Sequence, residues 1–226
     1  MTTAPIDRRQ RRRQETIEEV LDVAAAIMAE QGAAGLSLGE IARRMGIRPP
    51  SLYVYFPSKH AVYDALFARG AQSLLDVIQD ADRTDLEKLT TFDAFLLGAA
   101  GVFVRWSVEH PAYSQLLFWR PVPGFAPSPE AYRPAVELLG LTTQRFADLQ
   151  HRGLVRRDVP PEQVTRDWTV LSSGVTSQQP SNAPDESFDT GRFVQALPDL
   201  VAMFARYYSE PRSTAARGRA SRADQR

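Results

Sequence analysis

Residues 37–59 read SLGEIARRMGIRPPSLYVYFPSK, and the fold turns on how this stretch is parsed. Ser37-Leu38-Gly39-Glu40 has the S-x-x-E form of a capping box, in which a hydroxyl and a carboxylate each satisfy a free N–H at the start of a helix. Ile41, Ala42 and Met45 follow on its inward face. Gly46 supplies the left-handed residue that ends the helix, a conformation that costs glycine little. Pro49 and Pro50 then open a second helix, because proline fits a first turn where no N–H is required. This helix is expected over about 50–56, with Pro57 as its stop. A capped helix, a glycine turn and a short second helix together form the helix-turn-helix plan. In that plan the second helix enters the major groove of DNA, and flanking donors hold phosphates. The donors at hand are Ser37, Ser51, Tyr53, Tyr55 and Lys59. Ile41, Met45, Ile47, Leu52 and Phe56 are spaced to make the small core between the helices. Leu52-Tyr53-Val54-Tyr55-Phe56 places five mostly apolar residues on two turns, and not all of them can face inward.

Upstream, residues 1–13 read as a flexible basic arm carrying Arg8, Arg9, Arg11, Arg12 and Arg13. From Gln14 a helical period begins, with Ile17, Val20, Leu21, Ala24, Ile27 and Met28 at spacings of three and four. Gly32 and Gly35 close it. Downstream, Ser58 is placed to cap a helix over about 58–81. Thr84-Asp85-Leu86-Glu87 is a further capping box, predicting a helix from there to about residue 109. Shorter or longer helices are expected over 112–119, 130–152, 161–178 and 189–208. The stretch 120–129 holds four prolines and one glycine and reads as a loop; 179–189 is polar with two prolines and reads as a mobile connection. No strand alternation and no internal repeat is present in the sequence. The expectation is therefore all-α: a three-helix DNA-binding unit over 14–60, a larger helical ligand-binding and dimerisation unit over 61–208, and a disordered tail over 209–226.

Composition narrows the chemistry. The 226 residues include 43% hydrophobic and 24% charged side chains, an ordinary globular balance. No apolar run approaches the roughly 20 residues of a membrane helix. The polar, basic start is not the pattern of a secretory signal, so a cytoplasmic protein is expected. Cysteine is absent, which excludes disulfides, thiolate metal sites and a cysteine nucleophile. His60, His110 and His151 lie far apart, and no metal-ligand spacing, nucleophile motif or phosphate-cradling glycine loop is found. No cofactor, no metal and no catalysis are expected, and an all-helical enzyme is the weakest alternative. The net charge is zero but uneven: residues 1–60 carry nine basic and seven acidic side chains, whereas 61–208 carry 13 and 18. A basic end on an acidic body suits a polyanionic partner at that end. Lys59 is one of only two lysines beside 25 arginines.

Ser37, Ile41-Ala42, Gly46, Leu52-Tyr53-Val54-Tyr55-Phe56 and Ser58-Lys59, with a helix of fitting length before them, resemble the DNA-binding domain of the TetR/AcrR family over about 45 residues. The resemblance implies phosphate contacts at Ser37, Ser51, Tyr53, Tyr55 and Lys59, and base-facing positions at Arg48, Pro49 and Val54. Pro50 replaces a residue usually small, and Gly39 stands where some members have a base-reading arginine. Arg48 is then the one strong hydrogen-bonding reader, suited to guanine, and sequence preference leans on DNA shape. The resemblance further implies a homodimer through the last two helices, on the stripes Val164, Trp168, Leu171, Val175 and Phe193, Leu197, Leu200, Val201, Phe204, Tyr207-Tyr208, and a ligand-responsive repressor of a palindromic operator. Its effector is expected to be a largely apolar small molecule in a pocket among the body's aromatics, with Phe103, Trp106, Phe118 and Trp168 as lining candidates. A ligand-independent architectural DNA binder is the alternative, and a closed core without a cavity is what would favour it.

Overall fold

The structure is a computed structural model that describes residues 8–84 and 88–209. Among these residues helix follows helix, and the extended pairing consists of one bridge between Val155 and Ser209. The first helix, α1 (Arg8–Gly35), buries Val20, Leu21, Ala24, Ile27 and Met28 along one stripe. Gly32 breaks its ladder at φ 70°, ψ 177°, and Ala33 and Leu36 carry the chain into the next helices as buried residues. These are α2 (Leu38–Met45) and the short α3 (Pro49–Leu52). Helix α1 begins at Arg8, not at Gln14. Arginine and glutamine are good helix formers, so the segment expected to be a flexible arm extends the helix from 8 to 13. Residues 1–7 and the tail from 210 lie outside the described residues.

Helix α4 (Lys59–Thr84) is 26 residues long, about 39 Å at 1.5 Å per residue. Val62, Tyr63, Leu66, Phe67 and Ala71 belong to the same buried cluster as α1, α2 and α3. The Tyr63 hydroxyl donates to the Ala33 carbonyl at 2.6 Å, where the chain leaves α1. The boundary expected at residue 60 therefore falls at the start of a helix that both units share.

A second cluster forms the body. It is built from α5 (Phe92–Glu109), α7 (Pro129–His151), α8 (Pro161–Asn182) and α9 (Leu197–Tyr208), with Leu96, Val104, Phe146, Val164, Val201 and Phe204 at its centre. Between α5 and α7 lie α6 (Pro111–Ser114), a π-helical turn (Gln115–Trp119) and a loop opened by Arg120 at φ 46°. The helix expected over 112–119 is thus two pieces of different pitch. The capping box at Thr84 does not start α5. Thr84 ends α4, and Thr91 caps α5 by accepting the Ala94 N–H at 3.3 Å.

The connection between α8 and α9 also departs from expectation. Helix α8 continues to Asn182, and Gln179 is 1% exposed. Its amide nitrogen donates to the Ala183 carbonyl at 2.8 Å, while its oxygen accepts from the N–H groups of Phe193 at 3.1 Å and Val194 at 3.4 Å. Glu186 accepts from the backbone and side chain of Arg192. The polar residues of this segment bond the loop's own backbone, so it is fastened where composition alone read it as mobile. The Gln179→Ala variant leaves the N–H groups of Phe193 and Val194 without their acceptor, while the Ala183 carbonyl keeps only the Glu186 N–H at 3.2 Å. A loss of about 2–3 kcal/mol is expected in urea unfolding; an unchanged midpoint would show that Gln179 does not hold the loop.

Candidate functional site

The first three helices present a small head. Ser37 stands extended before α2, and its hydroxyl oxygen accepts the Glu40 N–H at 3.1 Å. Only half of the capping box is realised. The Glu40 carboxylate turns outward and accepts from Arg43 at 2.7–2.8 Å and from Arg44 at 2.9 Å. Arg44 continues to Glu30 of α1 at 2.6 and 3.0 Å, tying α2 to α1. Hydrogen bonds from Arg43 and then Arg44 hold the Glu40 carboxyl down at about 2. Gly46, at φ 67°, turns the chain, and the Ile47 N–H reaches back to the Ala42 carbonyl at 3.0 Å. Arg48 is extended, as a residue before proline must be.

Helix α3 is one turn long and is held from behind. Leu52 is fully buried and Phe56 nearly so. The Leu52 carbonyl accepts both the Tyr55 and Phe56 N–H groups at 2.9 and 2.8 Å, wrapping the chain after the turn. With Leu52 and Phe56 committed inward, Arg48, Pro49, Pro50 and Ser51 are exposed, Tyr53 is 56% exposed and Val54 67%. Met45 and Ile47 pack against this core but are only half-buried. The turn therefore projects Arg48, Pro49, Ser51, Tyr53 and Val54, which sequence placed against DNA. Ser37 is exposed at the start of α2, and Lys59 is half-buried at the start of α4, where Ser58 accepts the Ala61 N–H at 3.2 Å. Tyr55 is half-buried, with the Arg13 guanidinium 5.2 Å from its ring centre. That contact brings the arginine-rich start of α1 beside the turn. The unbroken run of helix formers through residue 13 was its available signal.

In the body, a cavity of about 330 Å³ opens between α4, α5, the π-helical turn, α7 and α8. Phe103, Phe118 and Trp168 line it as expected. Trp106 does not. Its indole N–H donates to Ser73 at 3.1 Å and its ring stacks on His110 at 4.9 Å, so the polar edge of the indole found its partner outside the cavity. Sequence reasoning missed Asp82 on α4 and Arg145 on α7, which also line the cavity and pair at 3.1 Å. Sixty-three positions separate them, and no local pattern links them.

The stripes expected to make a dimer interface are mostly internal. Val164, Trp168, Val175, Leu197, Val201, Phe204 and Tyr208 are buried within the one chain. The strongest apolar stripe of each helix faces its own core, because the body closes around α5 and α7. The outward faces of α8 and α9 instead carry Val170 and Met203, each 69% exposed, and Tyr207.

Comparison with known proteins agrees with this geometry. Residues 20–66 match the sequence model of the bacterial regulatory proteins, tetR family. The HTH-type transcriptional regulator YobS of Bacillus subtilis is 34% identical over 98 residues, covering 43% of this chain and 49% of that protein. The chain thus spans about half the length of that relative. The HTH-type transcriptional regulator Rv1816 of Mycobacterium tuberculosis is 27% identical over 173 residues, covering 75% of this chain and 73% of the relative. A bacterial regulatory protein of the tetR family from Rhodococcus RHA1 shares the fold with a TM-score of 0.65 at 17% identity, over 86% of this chain and 97% of its own.

The Glu40 cluster makes the head sensitive to acid. A carboxyl held near 2 in the folded state, against an ordinary 4.5, binds protons less readily folded than unfolded. Its stabilisation is therefore present above about 4.5 and is lost as pH falls towards 2. In an acid titration followed by circular dichroism, Glu40→Gln is expected to flatten the stability profile across that window. An identical profile in the variant would remove Glu40 from the account.

Proposed function

From the premise that this chain belongs to the tetR family of bacterial regulatory proteins, a family of DNA-binding transcription regulators, we propose that it is a ligand-responsive repressor acting as a homodimer on a palindromic operator. The observation that carries this reading is the run of α4. Its first residue, Lys59, stands at the DNA-facing tip, and Phe67, Ala71, Leu74, Ile78 and Asp82 further along it line the cavity. Whatever fills the cavity presses on the rod that orients the head. A cavity of about 330 Å³ also falls in the range of small-molecule sites, which supports a ligand-gated protein over a ligand-independent architectural one.

Two heads must sit about 34–36 Å apart to enter successive major grooves, and a twofold dimer achieves that spacing. Val170, Met203 and Tyr207 supply an outward apolar surface on α8 and α9 for the second copy. In each half-site Lys59, Tyr53, Tyr55, Ser51 and Ser37 hold phosphates, while Arg48, Pro49 and Val54 face bases. The effector acts by preferring the dimer whose heads are wrongly spaced; affinity shared by both states changes nothing. A coupling of about 1–3 kcal/mol alters operator affinity roughly 5- to 150-fold. The protein acts in the cytoplasm, with the chromosome as its partner.

Selection on random DNA followed by anisotropy titration tests the reading. Lys59→Ala is expected to weaken all sequences alike and to flatten the salt dependence by about one unit of slope. Arg48→Ala is expected to relax preference at one base pair per half-site, at about 1–3 kcal/mol. Base preference untouched by Arg48→Ala overturns its role as a reader. The double change Val170→Glu with Met203→Glu is expected to yield monomers in light scattering and to abolish tight operator binding. A persisting dimer would locate the interface elsewhere.

A further inference from the structure

The hydrogen-bonding capacity left open in the cavity indicates the chemistry of its occupant. Five hydroxyl side chains line it: Tyr132, Thr142, Thr169, Ser172 and Ser173. Three have already donated to their own helix. Thr142 bonds the Leu138 carbonyl at 2.9 Å, Thr169 the Thr165 carbonyl at 2.8 Å, and Ser172 the Trp168 carbonyl at 2.9 Å. The hydroxyls of Ser173 and of the exposed Tyr132 have no hydrogen-bond partner among the described residues.

Arg145 is the cation in the wall. A guanidinium carries five N–H donors in a fixed fork. Arg145 places its Nε on Asp82 Oδ2 at 3.1 Å, and its two terminal nitrogens bond no described residue. Asp82 is 5% exposed and Arg145 30%, so the pair is sunk into the wall with the arginine as its accessible member. Around them Phe67, Ile78, Phe95, Phe103, Phe118 and Trp168 are apolar. The charged part of the unfilled polar capacity is thus the donor edge of Arg145, in a mainly apolar cavity whose other open groups are two neutral hydroxyls.

We propose that the effector is an apolar molecule ending in a carboxylate, with the acid seated on the terminal nitrogens of Arg145 and the hydrocarbon body among the aromatics. This rests on the cavity being the effector site. A carboxylate matches the guanidinium fork with two parallel bonds, and charge assistance makes each stronger than a bond to a neutral oxygen. Asp82 stays on the Nε side of the guanidinium, so the cation stands between the two acids. A neutral hydroxyl or ester leaves that donor edge half-used. A cationic head meets Arg145 directly and is repelled.

Isothermal titration of the full chain with decanoate, methyl decanoate and decanol separates these cases. Decanoate is expected to bind about tenfold or more tighter than either neutral probe, the advantage of hydrogen bonds to a charged group. Arg145→Gln is expected to erase that advantage, so that decanoate and decanol bind the variant about equally. The double variant Asp82→Asn with Arg145→Gln keeps a neutral, hydrogen-bonding pair in the wall, and it must lose the preference too, which guards against a folding artefact. Equal affinity for acid and alcohol in the unmodified protein overturns the proposal, as does a preference that survives Arg145→Gln. Binding of the neutral probes without decanoate sinks the acid alone. Failure of all three probes, with DNA binding intact, sinks both the acid and the effector reading of the cavity.

Discussion

The burial of one face of α4 along most of its length is the constraint to which the other features refer. A helix of 26 residues cannot bend sharply without breaking its backbone ladder, and kinks need proline, a π-bulge or an inserted group. Among the described residues α4 contains no proline and no non-helical position. Its first half is locked into the head by Val62, Tyr63, Leu66 and Phe67, and later residues, Leu74 and Ile78, reach the cavity. A rotation or shift at either end is carried to the other. Gly70 marks how tightly it is held: a Cβ there would stand 2.9 Å from the Tyr113 ring of α6, so no larger residue fits without movement.

The contact between α4 and α7 is bonded near both ends, and again where the Gln79 amide donates to Glu137 at 3.2 Å. At one end the Asp64 carboxylate accepts from the Ser128 N–H at 2.6 Å and the Ser128 hydroxyl at 2.8 Å, while Ser128 itself caps α7 through the Ala131 N–H. At the other end stands the Arg145–Asp82 pair. Ion pairs sunk in a protein contribute little net stability, because desolvation offsets attraction; their value is in fixing geometry. Here three polar contacts join a pair of helices that both line the cavity.

The parts of this architecture written in short-range code were legible in the sequence. Ser37, Gly46, Pro49 and Ser58 act within four residues of themselves, and each does what its chemistry requires. The inward set Ile41, Leu52 and Phe56 followed from spacing. What could not be read depends on partners distant in the chain. Thr84 has the form of a cap, but the tertiary course of α4 decides that it ends a helix. Gln179 looks like a loop residue until the N–H groups of Phe193 and Val194 arrive to bond it. The apolar stripes of α8 and α9 were real, but a stripe does not say whether it meets its own chain or another copy. Three of the four aromatics expected at a pocket lie on the cavity wall for a related reason: bulk and apolarity locate a residue in the interior, whereas the Trp106 N–H is bonded to Ser73 outside it.

The shortness of α3 is itself informative. Four residues cannot sustain a helix in water, since nucleation alone is unfavourable. The turn exists because Pro49 and Pro50 restrict the chain before folding, and because Leu52 and Phe56 anchor it afterwards. Neither device involves the side chains of Ser51, Tyr53 and Val54, which are exposed and contribute little to holding the turn. A rigid, preorganised tip loses little conformational entropy on docking, and more of each contact then appears as affinity. This division of labour, with anchors facing in and the remaining side chains facing out on one turn, leaves Tyr53 and Val54 exposed on a head whose other large apolar residues are buried or half-buried.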